Sequence, residues 1–212
     1  MLNFDPDCIN CPRLAMHLAQ IRRDYPSYHA RPVAPFGPAR HQLLIVGLAP
    51  GMHGANATGR PFTGDHAGIM LYDTLFRFGF ANKAESKALN DGLVLKNCRI
   101  TNAVKCLPPE NKPNGQEISN CNIYLESELE SLGNDVVILA LGRIAHNAVV
   151  KAFHLKQKDH PFRHGYHHVI SGGKYLVDSY HCSRYNTQTG RLTAKMFDEI
   201  FYKINELLHI TI

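Results

Sequence analysis

Two short and almost uninterrupted apolar runs, residues 42–49 (QLLIVGLA) and 135–142 (DVVILALG), constrain this 212-residue chain more than any other feature. A strand covered on both faces reads as continuous Val, Ile and Leu, whereas a half-exposed strand alternates. Both runs end on glycine-bearing turns, so each is expected to be a central strand. Residues 96–104 (KNCRITNAV) and 174–181 (KYLVDSYH) supply two further strand candidates, the first rich in β-branched residues and the second partly alternating. Helical patterns fall between them at 64–78, 117–132, 143–154 and 193–208. In the second, Ile118, Cys121, Leu125, Leu129 and Leu132 recur at three- and four-residue spacing, which puts Cys121 on the buried stripe.

Strands that alternate with helices predict one α/β domain over residues 1–212, with a central, mostly parallel four-stranded sheet flanked by helices on both faces. In such sheets the ligand sits beyond the carboxyl ends of the strands. Two polar, glycine-bearing segments lie there: GLAPGMHGANATGRPFTGD (47–65) and HCSRYNTQTGRLT (181–193). If their strands are neighbours, both segments build one pocket, and an enzyme is expected. Residues 25–40, with four prolines, read as an irregular connector across the surface.

The 44% hydrophobic content suffices for a sizeable core, and no apolar run reaches the roughly 20 residues needed to span a membrane. The N-terminus lacks a basic start followed by an apolar stretch. The expectation is a soluble, cytoplasmic protein with no membrane partner. A net charge of +5 favours an anionic partner such as nucleic acid without identifying one.

Six cysteines in such a chain point to metal ligation before disulfides. Cys8 and Cys11 form a Cys-x-x-Cys pair, and Cys106 and Cys121 bracket the Pro-rich loop LPPENKPNG. Four thiolates suit zinc or an iron–sulfur cluster, and spacing alone does not choose between them. Cys98 and Cys182 occupy strand or strand-end positions and are expected to be buried filler.

The glycine-rich segment lets backbone approach a flat or anionic ligand closely. It is neither a P-loop nor a dinucleotide fingerprint, since no Gly-Lys-Ser/Thr and no Gly-x-Gly-x-x-Gly is present. Phe62 is either a stacking ring or an anchor for the loop. Asp65 opens a helix, where it is either a cap or a catalytic carboxylate. In the second segment His181 ends a strand, and Ser183, Asn186, Thr187, Thr189 and Arg191 follow as hydrogen-bonding groups suited to a phosphodiester. His160, His164, His167 and His168 have the look of a metal cluster. Without a carboxylate at matched spacing, in a Pro- and Gly-bearing loop, they are expected to be a solvated segment.

Taken together, Cys8-x-x-Cys11, GLAPGMHGANATGRPFTGD, ITNAVKCLPPENKP, the helix bearing Cys121 and the segment from His181 to Thr193 resemble the uracil-DNA glycosylase superfamily, in particular its type 5 branch of bacterial and archaeal enzymes. The resemblance runs nearly the whole chain. A type 4 enzyme would carry glutamate where this chain has Leu48. The chain departs from the type 5 pattern at Gly51, at Ala57, and at Cys182, where proline usually follows the histidine.

The resemblance implies a monofunctional DNA-repair glycosylase. It would act as a monomer on double-stranded DNA containing uracil or another deaminated base, flipping the base out, hydrolysing its N-glycosidic bond and leaving an abasic site. It implies a [4Fe-4S] cluster on Cys8, Cys11, Cys106 and Cys121. It implies Asp65, His181 and Asn102 as catalytic residues, with Gly47, Leu48, Phe62, Ser183, Asn186 and Arg191 binding substrate and Arg184 or Tyr185 as the wedge into the duplex. Two rival readings remain: a metal-dependent nuclease or phosphoesterase using the histidine cluster, and a non-catalytic iron–sulfur protein that binds nucleic acid.

Overall fold

The computed structural model describes residues 4–170 and 172–209. Its elements run α1 (Pro12–Asp24), β1 (Leu43–Gly47), α2 (Ala55–Thr58), α3 (His66–Arg77), β2 (Cys98–Asn102), α4 (Gly115–Glu130), β3 (Val137–Leu141), α5 (Arg143–Ala152), β4 (His167–Ile170), β5 (Lys174–Ser179), α6 (Arg184–Gln188) and α7 (Ala194–Leu207), with a single 3-10 turn at Pro109–Asn111. The strands form one sheet in the order β2-β1-β3-β5-β4. Four are parallel and β4 is antiparallel to β5. Among the described residues the sheet therefore has five strands, one more than the apolar runs announce. The extra strand is made by the histidine segment, where His168 and Ile170 point inward and His167 and Val169 outward with the period of two that a pleated edge imposes.

The apolar runs sort themselves by the same period. Leu43, Ile45, Val137, Leu139 and Val177 face α3 and α7, meeting Leu71, Leu75, Phe197, Phe201 and Ile204. Leu44, Val46, Ile138, Ala140 and Leu176 face α4 and α5, meeting Leu125, Leu129, Ala145 and Val149. Every residue of β1 and β3 is buried, which is why these strands show no polar alternation.

A third cluster joins α1, through Leu14, Leu18 and Ile21, to Val104, Leu107 and Tyr124. This helix is not among those expected from the sequence, although Leu14, Leu18 and Ile21 recur at helical spacing and Pro12 sits in the first turn, a position proline favours. Arg13 fixes it in place by gripping Glu117 with Nε to Oε1 and one terminal nitrogen to Oε2, both at 2.7 Å. Glu117 is also the far half of a capping box with Asn114, so one buried carboxylate starts α4 and docks α1. Arg13 holds the Glu117 carboxyl below its ordinary value. The capping box moves the start of α4 to Gly115, two residues before the expected start at 117.

Parallel pairing aligns Gly47 with Asn102 and Leu141 with Ser179, so the carboxyl ends of four strands share one edge. Both glycine-bearing segments leave from that edge. Past it, Ala103 N–H donates to the Gly47 carbonyl and Val104 N–H to the Leu48 carbonyl, each at 2.9 Å, extending the β1–β2 ladder into the cysteine-bearing loop.

Candidate active site

Beyond the sheet edge lies a pocket of about 460 Å³, within the range of small-molecule sites, lined by Leu48, Ala49, Gly51, Ala55, Phe62, Asp65, His66, Ala67, Asn102, Asn111, His181, Ser183 and Arg184. Residues separated by more than a hundred positions converge here because parallel strands deliver their ends to one side.

Gly47 lies against two of the lining side chains. A Cβ there would run into Asn102 Oδ1 and stand 2.7 Å from Phe62 Cζ, so only glycine lets these two side chains sit together. Phe62 is buried and adopts φ +55°, a conformation uncommon outside glycine and asparagine. Gly68 makes that geometry possible, because any side chain there would collide with the Phe62 carbonyl. Phe62 belongs to the buried core cluster, and its ring is stacked with His181, centroids 5.9 Å apart. Anchor and pocket wall are thus one residue.

Asp65 caps the helix and also lines the pocket. Its Oδ1 accepts from Gly68 N–H at 2.8 Å, capping α3. Its Oδ2 lies over the Gly51–Gly54 turn, where a Cβ on Gly54 would come within 2.8 Å of it. Burial raises its pKa, opposed by the backbone N–H groups of Gly68 and Ala67. The result is a desolvated carboxylate of increased basicity, held rigidly by the helix start.

Asn102, at the end of β2, is buried, and none of its side-chain atoms bonds to another described residue. Burial pushes the His181 imidazole down to about 4, so it is neutral at physiological pH. Asn186 does not face the pocket. Its amide donates to the His181 carbonyl at 2.7 Å and so fixes the turn that aims the ring. Gly142 has φ +95°, and a Cβ there would stand 3.4 Å from His181 Cβ. Ser183 lines the pocket and caps the short α6, which carries the exposed Arg184 and Tyr185. Arg191 stands outside, its guanidinium 4.7 Å from the Tyr180 ring centroid.

Two polar lining residues escaped the sequence reading. His66 follows Asp65 and bonds Thr187 Oγ1 through Nε2 at 3.0 Å, tying α3 to α6. Asn111 arrives from the Pro-rich loop. Adjacency to Asp65 was the only local signal for the first, and nothing local signalled the second. Asp65, His66 and Arg184 also border an adjoining groove of about 610 Å³ that includes Ser86 and Lys87.

The four cysteines meet in one pocket with Phe4, Leu14, Val104 and Tyr124. Lys105 N–H donates to Cys121 Sγ at 3.3 Å and Asn120 Nδ2 to Cys11 Sγ at 3.7 Å, contacts that favour thiolate over thiol. Burial, and then the other cysteines, push Cys106 up to about 12. Such a set of sulfurs is held ionised only by a cation, so the residues fit a soft metal centre. Cys98 and Cys182 are fully buried in the core, and burial pushes the Cys182 thiol up to about 12, which removes it as a nucleophile.

The histidine segment corrects the expectation of a solvated loop. His168 is buried on β4 and faces Asp178 of β5, so the carboxylate missing from the local sequence arrives across the hairpin.

A strand-edge pocket holding Phe62, Asp65, Asn102 and His181, next to a four-cysteine site, defines a class, and comparison with known proteins agrees. The family model described as the Uracil DNA glycosylase superfamily matches residues 34–205, and the chain belongs to that superfamily. Within it the chain is 45% identical to a type-5 uracil-DNA glycosylase of Thermus thermophilus over 94% of this chain and 93% of the relative. It is 40% identical to a type-5 enzyme of Pyrobaculum aerophilum over 92% of this chain and 86% of the relative. A type-4 uracil-DNA glycosylase of Saccharolobus solfataricus is more distant, at 30% identity over 81% of this chain and 74% of the relative. Among the described residues no helix is long and apolar enough to cross a membrane.

Proposed function

We propose that residues 1–212 form one uracil-DNA glycosylase domain of the type 5 kind, a cytoplasmic monomer that acts on uracil in double-stranded DNA. The observation that carries this reading is the convergence of Phe62, Asp65, Asn102 and His181 in one pocket, on a chain of this superfamily.

Breaking the N-glycosidic bond builds positive charge on the sugar and negative charge on the departing base, and fixed dipoles aimed at those charges lower the barrier. The flipped base would lie against Phe62, with Asn102 pairing to its polar edge, since that amide has no partner among the described residues. His181, neutral, would donate a hydrogen bond to the developing charge on uracil O2. Asp65 Oδ2 would orient water toward the sugar carbon and offset its charge, and the raised basicity of a buried carboxylate suits that task. Gly47 and Leu48 shape the pocket through close approach of backbone. Ser183 and Arg191 would take phosphates and Asn186 would serve through His181, while Arg184 and Tyr185, on the exposed turn at the pocket mouth, would fill the gap left by the flipped base. Flipping costs a few kcal/mol, least for mismatched bases, so a U·G pair is the favoured substrate.

Cys8, Cys11, Cys106 and Cys121 would hold a [4Fe-4S] cluster. A single tetrahedral zinc, with Zn–S near 2.3 Å, needs sulfurs about 3.8 Å apart. Among the described residues no three cysteine sulfurs lie within 4.8 Å of one another, a spread that suits a larger cluster. The cluster would pin α1 and the loop after β2, whose hydrogen bonds to Gly47 and Leu48 transmit that order to Asn102.

The test is a duplex with a single U·G pair, incubated with and without EDTA and then treated with alkali. Alkali-dependent cleavage at the uracil, unaffected by EDTA, is expected. Strand breaks without alkali that vanish in EDTA would establish a nuclease instead, and binding without base release would leave only a nucleic-acid binder.

A further inference from the structure

The geometry points to a second metal site, a buried zinc site formed by His146 of α5, His168 of β4 and Asp178 of β5, on the sheet edge opposite β2 and away from the cysteines. All three residues are buried, and one ligand atom from each lies within 4.8 Å of the other two.

The hydrogen bonds fix what these atoms can be. His146 Nε2 stands 2.8 Å from the His160 carbonyl, which only accepts, so Nε2 carries a proton. A neutral His146 therefore presents a bare lone pair on Nδ1, and Nδ1 points at Asp178 Oδ1 from 2.6 Å. Two acceptors face each other, and a proton or a cation has to lie between them. A histidine whose far nitrogen donates to a backbone carbonyl is the arrangement that metal-binding imidazoles favour, because it fixes tautomer and ring orientation.

His168 supplies the second observation. Its Nε2 is buried, makes no hydrogen bond, and is 3.6 Å from Asp178 Oδ2. A buried polar nitrogen without a partner is costly, and a metal would satisfy it. The carboxylate is steadied from behind by Arg163 N–H on Oδ2 at 3.0 Å. Two imidazoles and one carboxylate form a borderline donor set that suits zinc and the neighbouring transition metals far better than magnesium or calcium. His160 supplies its carbonyl to His146 and is not one of the three grouped ligands, so water would take the fourth position.

Ligation would spread Nδ1 and Oδ1 by about 0.7 Å, toward the roughly 3.3 Å separation of two tetrahedral ligands near 2.0 Å from zinc. The ion would clip α5 and the β4–β5 hairpin together, and β5 leads directly into the turn that carries His181. Because the three ligands are buried, the role is to hold the fold and not to meet substrate. The inference goes beyond the glycosylase reading and stands whether or not that reading holds.

The experiment uses the full chain, purified anaerobically, freed of loosely bound metal and titrated with zinc chloride by calorimetry, with zinc-edge X-ray absorption on the loaded protein. One zinc per chain is expected, with nitrogen and oxygen in the first shell, imidazole outer-shell scattering, and a melting temperature that rises with zinc. His168→Ala and Asp178→Asn should each abolish that equivalent. Failure of the wild type to bind zinc would overturn the proposal and leave a proton shared between His146 and Asp178. Sulfur at about 2.3 Å in the first shell would also overturn it, by placing the zinc on the cysteines.

Discussion

Asp65 caps a helix and faces the pocket with the same carboxylate, and substitutions separate the two roles. The cap is one hydrogen bond, Gly68 N–H to Oδ1 at 2.8 Å, of a kind worth about 1 kcal/mol. Asp65→Asn keeps an acceptor in the same place, and Asn ranks with Asp as a cap. It gives up the attraction of a negative charge to the helix N-terminus, about 0.3–1 kcal/mol, and at the same time relieves the burial of that charge, which is what raises the pKa. The two changes oppose each other. Net stability should therefore move by less than about 1 kcal/mol, or 2–4 °C in melting temperature for a chain of this size. Asp65→Ala loses the cap as well and should melt lower than Asp65→Asn.

Chemistry scales differently. Losing the group that activates water and offsets sugar charge should slow base release by roughly 10²–10⁴, or about 2.7–5.5 kcal/mol in the barrier, in both variants alike. The assay is single-turnover release of uracil from a U·G duplex with enzyme in excess, with thermal melts alongside. Near-wild-type release by Asp65→Asn, with Asp65→Ala impaired only as far as its stability falls, would refute the reasoning and reduce the residue to a cap.

Gly47→Ala should lower uracil release at least tenfold, because its Cβ would displace both Asn102 and Phe62; wild-type release in single-turnover assays would show that these side chains yield. Release should fall on acidification through the raised pKa of Asp65, while His181 stays neutral until about pH 4, so the residual rate of Asp65→Asn should be flat over that window. The folded His181 binds its proton less readily than the unfolded chain, so it contributes stability that is complete above pH 6.5 and lost as pH falls toward 4. His181→Gln should flatten the corresponding drop in melting temperature. Protein purified without oxygen should be brown, and Cys121→Ala should be colourless and less soluble; acid-labile sulfide and iron assays decide it, with zinc in place of iron as the refuting result.

How much of this was legible in the sequence follows from which interactions are local. The runs 42–49 and 135–142 announced central strands because burial on both faces leaves an unbroken apolar signature. The three- and four-residue stripe from Ile118 put Cys121 inside α4, where it is found. Glycine and polar residues just past the strands located the pocket, because parallel strands deliver their ends to one edge. Local pattern could not show that β4 exists as an edge strand, since its inward positions are taken by His168 as well as Ile170 and a histidine does not register as core.

It could not show that Asn186 serves His181 through a backbone carbonyl, or that Arg191 packs on Tyr180. Nor could it show that Gly47 is required by Asn102, its partner across the β1–β2 pair. The pairing of His146 with Asp178 spans 32 residues and two elements. Composition and periodicity report what each residue does along its own helix or strand. The charge state of a buried group and the partner it finds depend on what the fold excludes from water, and that was decided only when the sheet brought distant segments together.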